Sequence, residues 1–183
     1  MIITIGGDIG SGKSTVAKAL AERFQLKHIS AGDTFRAMAN ERGMSLADFS
    51  KLAEQDYEFD KELDDKQVAL AREAGDAMVD GRLSGVLLKE AVLKMWLRAP
   101  IEERARRVVK REGKDYDQAL QETKEREVSE VKRYLDIYDI DLRDLSIYDV
   151  VLNTGLWGPE EVINIIGEMI SLLMKVGEIH GDR

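Results

Sequence analysis

Residues 7–14 read Gly-Asp-Ile-Gly-Ser-Gly-Lys-Ser, a complete G-x-x-x-x-G-K-[ST] pattern, and its flanks decide what it is. Before it, Ile2 to Ile5 is a short apolar run rich in β-branched residues, the mark of a buried strand. After it, Val16, Leu20 and Phe24 recur at helical spacing with Ala17 and Ala21 packed between them. A glycine-rich turn from strand to helix points its backbone N–H groups inward, and the helix dipole adds positive potential at the same place. The pattern therefore predicts a polyphosphate cradle formed by Gly7, Asp8, Ile9, Gly10, Ser11, Gly12, Lys13, Ser14 and Thr15. Lys13 is long enough to reach the β- and γ-phosphates, and the Ser14 hydroxyl is a ligand for Mg²⁺. The expected ligand is a nucleoside triphosphate.

Composition narrows the class. A chain of 183 residues is expected to form a single domain over 1–183. The absence of cysteine excludes disulfides, thiolate zinc sites and thiol nucleophiles. A net charge of −8 opposes non-specific binding to a nucleic acid polymer or an anionic membrane. Any anionic ligand must then be held by a local cluster of Arg and Lys. No apolar run is long enough to span a bilayer, and the first residues enter a strand without a basic leader. A cytoplasmic protein, working as a monomer on small molecules, is the expectation.

Four further strands are predicted at Lys27 to Ser30, Ala77 to Val79, Leu93 to Arg98 and Asp149 to Leu152. Helical patterns separate them, the signature of an α/β fold with a five-stranded parallel sheet and helices on both faces. Ligands in such sheets bind at the carboxyl ends of the strands. Two segments exceed this alternation: residues 33–75, helical throughout with an N-cap at Ser45, and the charged stretch 101–138. Pro100 ends the fourth strand, Pro159 opens the last helix, and the tail after Gly177 is expected to fray.

The excursions carry the chemistry that a phosphate cradle alone leaves open. No Asn-Lys-x-Asp motif is present, which weighs against a GTPase switch. Ser30-Ala31-Gly32-Asp33-Thr34-Phe35-Arg36 runs from the second strand into a helix, with Arg36 one turn inside it. Asp80-Gly81-Arg82-Leu83-Ser84-Gly85 follows the third strand, beside the cradle. Asp80 there is placed to hold Mg²⁺ through water. A lone arginine is more often a surface residue, but Arg36 and Arg82 at neighbouring strand ends form a second phosphate site opposite the first. Arg104, Arg107 and Arg111 share one helix face, and Arg126 and Arg133 share another. As a set they suit a hinged lid that brings positive charge to a transition state and excludes water.

The phosphate loop, the Ser-Ala-Gly-Asp-x-Phe-Arg and Asp-Gly-Arg motifs and the arginine stretch together resemble the nucleoside monophosphate kinases, and within them the archaeal-type cytidylate kinases. The resemblance covers nearly the whole chain, including Lys124-Glu125-Arg126-Glu127, Lys132-Arg133-Tyr134 and Tyr148-Asp149-Val150-Val151. It implies transfer of the γ-phosphoryl group of Mg·ATP to CMP, with dCMP as a further acceptor. It assigns catalytic roles to Lys13, Arg126 and Arg133, and places Arg104 and Arg107 beside the ATP base and phosphates. Ser30, Gly32, Asp33, Arg36, Arg82 and Gly85 would hold the acceptor, Ser14 and Asp80 the metal, and backbone around Thr154 to Gly158 the adenine.

Two other readings stay open on the residues alone. Adenylate kinase fits Ile29 to Arg36 almost as well, although Ala31 stands where those enzymes usually carry Thr, and Arg82-Leu83-Ser84 replaces their Phe-Pro-Arg. A nucleotide-binding regulator that has lost transfer is the alternative outside the enzymes. Asp8-Ile9 departs from the proline common in the loop, putting a carboxylate near the phosphates. The acidic run Asp56, Glu58, Asp60, Glu62, Asp64 and Asp65 is one candidate reader of cytosine, since a carboxylate accepts from the exocyclic amine. A solvated helix face is the favoured expectation for it. His28 is read as a strand-surface residue, Trp96 as core packing, and Trp157 as part of the adenine loop.

Overall fold

The computed structural model describes residues 1–53 and 55–180. Its sheet is parallel throughout, in the order β2-β3-β1-β4-β5, from β1 (Ile2–Gly7), β2 (Lys27–Ser30), β3 (Ala77–Asp80), β4 (Leu93–Arg98) and β5 (Val150–Asn153). Parallel neighbours cannot be joined by tight turns, so every strand is followed by helix. The helices are α1 (Lys13–Arg23), α2 (Ala31–Glu41), α3 (Leu46–Ala53), α4 (Glu58–Ala74), the single turn α5 (Ser84–Leu87), α6 (Ile101–Glu112), α7 (Tyr116–Tyr138) and α8 (Pro159–His180). The fifth strand starts one residue later than expected. The last helix continues to His180, past the point where fraying was expected, and residues 181–183 lie outside the described residues.

The central strand shows how the layers form. Its side chains alternate, so Ile3 and Ile5 meet Val16 and Leu20 of α1 and Ile166 and Ile170 of α8 on one face. On the other face, Ile2 packs with Ile29, Val79 and Ala71 of α4. Further along that second face, Trp96 joins Leu83, Leu142 and Tyr134 of α7, the core role expected for it. Each fully buried aliphatic chain here contributes roughly 1.5–3 kcal/mol. No helix among the described residues is long and apolar enough to cross a membrane.

Both excursions have their own internal logic. Residues 33–75 close over a small core of Met38, Ala39 and Phe49 with Phe35 and Phe59 around it. The Phe49 ring lies 4.7 Å from Phe35 and 5.3 Å, edge-on, from Phe59. Ser45 caps α3 as expected: its Oγ accepts from the Asp48 N–H at 3.1 Å and donates to the Asp48 carboxylate at 2.6 Å. In the second excursion, Gly113 takes the left-handed conformation (φ 68°) that ends α6. Asp115 then caps α7 by accepting from the N–H groups of Asp117 and Gln118. The result is a helical hairpin, with Arg104, Arg107 and Arg111 on α6 and Arg126 and Arg133 on the unbroken 23-residue α7.

Candidate active site

The carboxyl ends of β1, β2 and β3 meet at the loop between β1 and α1. Gly7, Gly10 and Gly12 have φ of 147°, 78° and 95°, a region closed to most side chains. A Cβ on Gly7 would stand 2.2 Å from the Leu97 carbonyl oxygen, and one on Gly10 would stand 2.8 Å from that of Arg104. The turn therefore requires all three glycines, and the backbone pressed against Gly7 and Gly10 excludes a side chain there as well. Lys13 folds over the loop, its Nζ donating to the Gly7 and Asp8 carbonyls at 2.9 Å each. Burial, and then the nearby Arg82 charge, lower its pKa to about 8.

Asp80, at the end of β3, is the hub. It is buried, its Oδ1 accepts from Ser14 Oγ at 3.2 Å and Ser30 Oγ at 3.1 Å, and its Oδ2 lies 2.7 Å from His28 Nε2. One hydroxyl and one carboxylate facing a phosphate cradle are a donor set that suits Mg²⁺, which takes its remaining ligands from phosphates and water. Among the described residues no cluster of three or more His, Cys, Asp or Glu forms a protein cage for a metal.

His28 thus departs from the surface position expected of it: its side chain is 20% exposed and bound to the hub. His28 and Ser30 lie two apart on one face of β2, and Ser30 pairs in register with Asp80, which brings both side chains to the same carboxylate. Ser30, expected at the acceptor, donates its hydroxyl to Asp80 at 3.1 Å. A Cβ on Gly85, also expected there, would meet the Tyr148 ring at 2.6 Å, so this close packing calls for a glycine. Gly32 lies close under the Arg36 guanidinium, and Arg36 is exposed and paired with Asp33.

Arg82 leaves the Asp80-Gly81-Arg82 turn into a charged interior. Its Nε donates to Glu130 at 2.6 Å, its Nη1 lies 3.8 Å from Asp8, and its guanidinium sits over the Trp96 ring. Burial raises the Asp8 pKa, although Arg104 and Arg82 pull the other way. A cavity of about 180 Å³ opens beside them, lined by Asp8, Arg82, Trp96, Arg98 and Glu127 among others. Glu130 also draws in Arg126, an exposed residue at 3.6 Å, while Arg133 reaches Asp60 of α4 at 3.4 Å. Each of Arg36, Arg82, Arg126 and Arg133 therefore already holds a carboxylate.

Arg104 and Arg107, expected beside the ATP base and phosphates, lie against the phosphate loop, and Arg107 also against Thr154. Arg104 is buried and donates to the Ala99 and Ile9 carbonyls. Arg107 donates to the carbonyls of Gly10, Ser11 and Thr154 and to the Thr154 hydroxyl, which itself donates to Ser11. The pair braces the carbonyl side of the loop, leaving the N–H side to phosphate. Arg111, on the same sequence pattern, is exposed and paired with Glu112. Trp157 is 46% exposed beyond Thr154. The acidic run also departs from a uniformly solvated face, because Asp60 and Asp64 are buried.

The family model described as the cytidylate kinase-like family matches residues 2–156. The chain belongs to that family. Cytidylate kinase from Methanocaldococcus jannaschii is 50% identical over 96% of this chain and 100% of its own length. That from Pyrococcus horikoshii is 48% identical over 97% and 92%, and that from Haloarcula marismortui 47% over 90% and 86%. Among solved structures, an uncharacterized protein from Eubacterium ventriosum superposes with a TM-score of 0.69 at 20% identity, covering 93% of this chain and 98% of its own. Shikimate kinase from Acinetobacter baumannii gives 0.59 at 17%, covering 92% of each chain. At that identity the likeness is one of fold. For this family member, the site combines a phosphate loop, a metal-competent Ser14–Asp80 pair and a set of paired arginines.

Proposed function

We propose that the chain transfers the γ-phosphoryl group of ATP to CMP, giving CDP and ADP, with dCMP as a second acceptor. The observation that carries the reading is the junction of Lys13, Ser14, Asp80 and Arg82 at adjacent strand ends, in a chain that matches cytidylate kinases over almost its full length. The adenylate kinase and regulator alternatives lose their footing there.

The N–H groups of the loop and Lys13 hold the β- and γ-phosphates of the donor. Ser14 and Asp80 would hold Mg²⁺, which when bound neutralises charge on the donor phosphates. Arg36 and Arg82 receive the acceptor phosphate by forked hydrogen bonds. An oxygen of that phosphate, already ionised, attacks the γ-phosphorus as the bond to the bridging oxygen of ADP breaks, so no general base is needed. Arg126 and Arg133 supply positive charge to the equatorial oxygens as they pass through the transition state. Incoming phosphates exchange with Glu130 and Asp60, whose carboxylates otherwise hold these side chains in place.

The test is turnover of ATP with Mg²⁺ against CMP, dCMP, UMP, AMP and GMP separately, following diphosphate formation. CMP, alone or with dCMP, is the expected acceptor. Turnover of AMP in preference to CMP would overturn the assignment.

A further inference from the structure

Two carboxylates of α4 sit where an acidic helix face is least expected. Asp60, Asp64, Gln67 and Ala71 form its buried stripe, with Asp60 8% exposed and Asp64 7%. Gln67 fixes the direction of that stripe, since its Nε2 donates to the Asp80 carbonyl at 2.9 Å. The stripe therefore starts at the Asp80-Gly81-Arg82 turn, where the acceptor phosphate is assigned. Asp60 lies seven residues further along the helix, roughly 10 Å away along the axis. That is the scale on which a nucleotide's base stands off from its phosphate.

From the other side α7 presents Arg133, Tyr134 and Tyr138. The Tyr138 hydroxyl donates to Asp64 Oδ2 at 2.8 Å, and Arg133 Nη1 is 3.4 Å from Asp60 Oδ2. Asp60 Oδ2 is nevertheless buried without receiving a hydrogen bond, and Arg133 Nε is buried without an acceptor. Leaving a buried carboxylate oxygen unsatisfied is costly, and such groups call for a functional explanation.

We propose that Asp60 and Asp64 read the amine-bearing edge of the acceptor's cytosine, with Oδ2 of Asp60, ion-paired to Arg133 but receiving no hydrogen bond, accepting one from the exocyclic amine. The proposal rests on the CMP reading above and names the residues that would make it specific. Cytosine offers an amine donor beside the N3 acceptor, whereas uracil offers the reverse: an O4 acceptor beside an N3–H. Burial raises the Asp64 pKa to about 7, with Asp60 and Asp65 adding to the rise and Tyr138 and Arg133 opposing it. A carboxyl that keeps its proton can donate to N3, and its carbonyl can accept from the amine. A protonated carboxyl can also turn to suit uracil, so discrimination rests on Asp60, whose carboxylate oxygen would face O4 of uracil, which is repulsive. A site built on such donors and acceptors rejects a base that cannot match them.

The competing explanation is a structural latch joining α4 to α7. The full chain is assayed with CMP, UMP and the pyrimidin-2-one nucleotide that lacks the exocyclic amine, alongside Asp60→Asn and Asp64→Asn. The wild type is expected to lose about 10- to 100-fold in kcat/KM on the amine-less acceptor. An amide can turn either donor or acceptor to the base, so the variants are expected to lower the CMP-to-UMP ratio by a similar factor, with KM for ATP retained. Equal use of CMP and the amine-less nucleotide by the wild type would overturn the inference, even if neither variant folds. An unchanged CMP-to-UMP ratio, whatever the absolute rate, would overturn it too and leave the latch. Failure of the wild type to phosphorylate CMP at all would instead overturn the function on which it rests.

Discussion

A single carboxylate organises the chemistry of this site. Asp80 joins the phosphate loop through Ser14, the second strand through Ser30 and His28, and α4 through its carbonyl and Gln67. His28 Nε2 lies 2.7 Å from Asp80 Oδ2, and we infer that it is a positioning residue that fixes the rotation of that carboxylate. Removing such an outer partner typically costs about 10- to 100-fold in metal affinity or activity. His28→Ala should therefore raise the Mg²⁺ concentration for half-maximal rate by a factor in that range, with the fold retained by circular dichroism. An unaltered Mg²⁺ requirement would show that Ser14 and Ser30 orient the carboxylate without it. The phosphate loop was legible from residues 7–14 because its chemistry is local. The His28 contact was not, since it joins residues 52 apart and a histidine on a short strand carries no mark of its partner.

At the scale of elements, α7 is the piece to which the proposed mechanism assigns Arg126 and Arg133. Its 23 residues put Arg126, Glu130 and Arg133 on successive turns, where Glu130 also meets Arg82 and Arg133 meets Asp60 of α4. The helical spacing of these arginines was visible in the sequence. Their partners were not visible, because Asp60 and Glu130 belong to acidic runs that read equally well as solvated faces. The carbonyl contacts of Arg104 and Arg107 were hidden likewise, since helical spacing does not say which backbone groups a guanidinium meets. Arg126→Ala and Arg133→Ala should each lower kcat steeply, about 10³-fold if they act as arginine fingers do, with KM for ATP little changed. Near-normal kcat in both variants, measured at saturating ATP and CMP, would remove α7 from the transition state. A selective rise in KM for CMP with Arg133→Ala would assign that residue to acceptor binding alone.

For the molecule as a whole, five strand predictions matched the observed sheet because buried parallel strands announce themselves as short apolar runs between helices. The energetics of the assembled chain add a term that no run of residues displays. Asp64 holds its proton in the folded chain up to about pH 7, whereas an unfolded aspartate ionises near about 4. Between those values the folded state binds the extra proton, so this group's contribution to stability is fully present below the lower value and is lost as pH rises through the upper one. Urea denaturation should therefore give a lower midpoint at about pH 7 than at about pH 5, and Asp64→Asn should flatten the difference. A wild-type midpoint that does not fall across that interval would contradict the burial of a protonated carboxyl. The central claim, that this junction of strand ends moves a phosphoryl group from ATP to CMP, is tested most directly by incubating γ-labelled ATP, Mg²⁺ and CMP with the wild type and with Lys13→Ala. The account predicts label in CDP from the wild type and a large loss of it from the variant. Unlabelled CMP with the wild type, or label transferred equally well without Lys13, would contradict it.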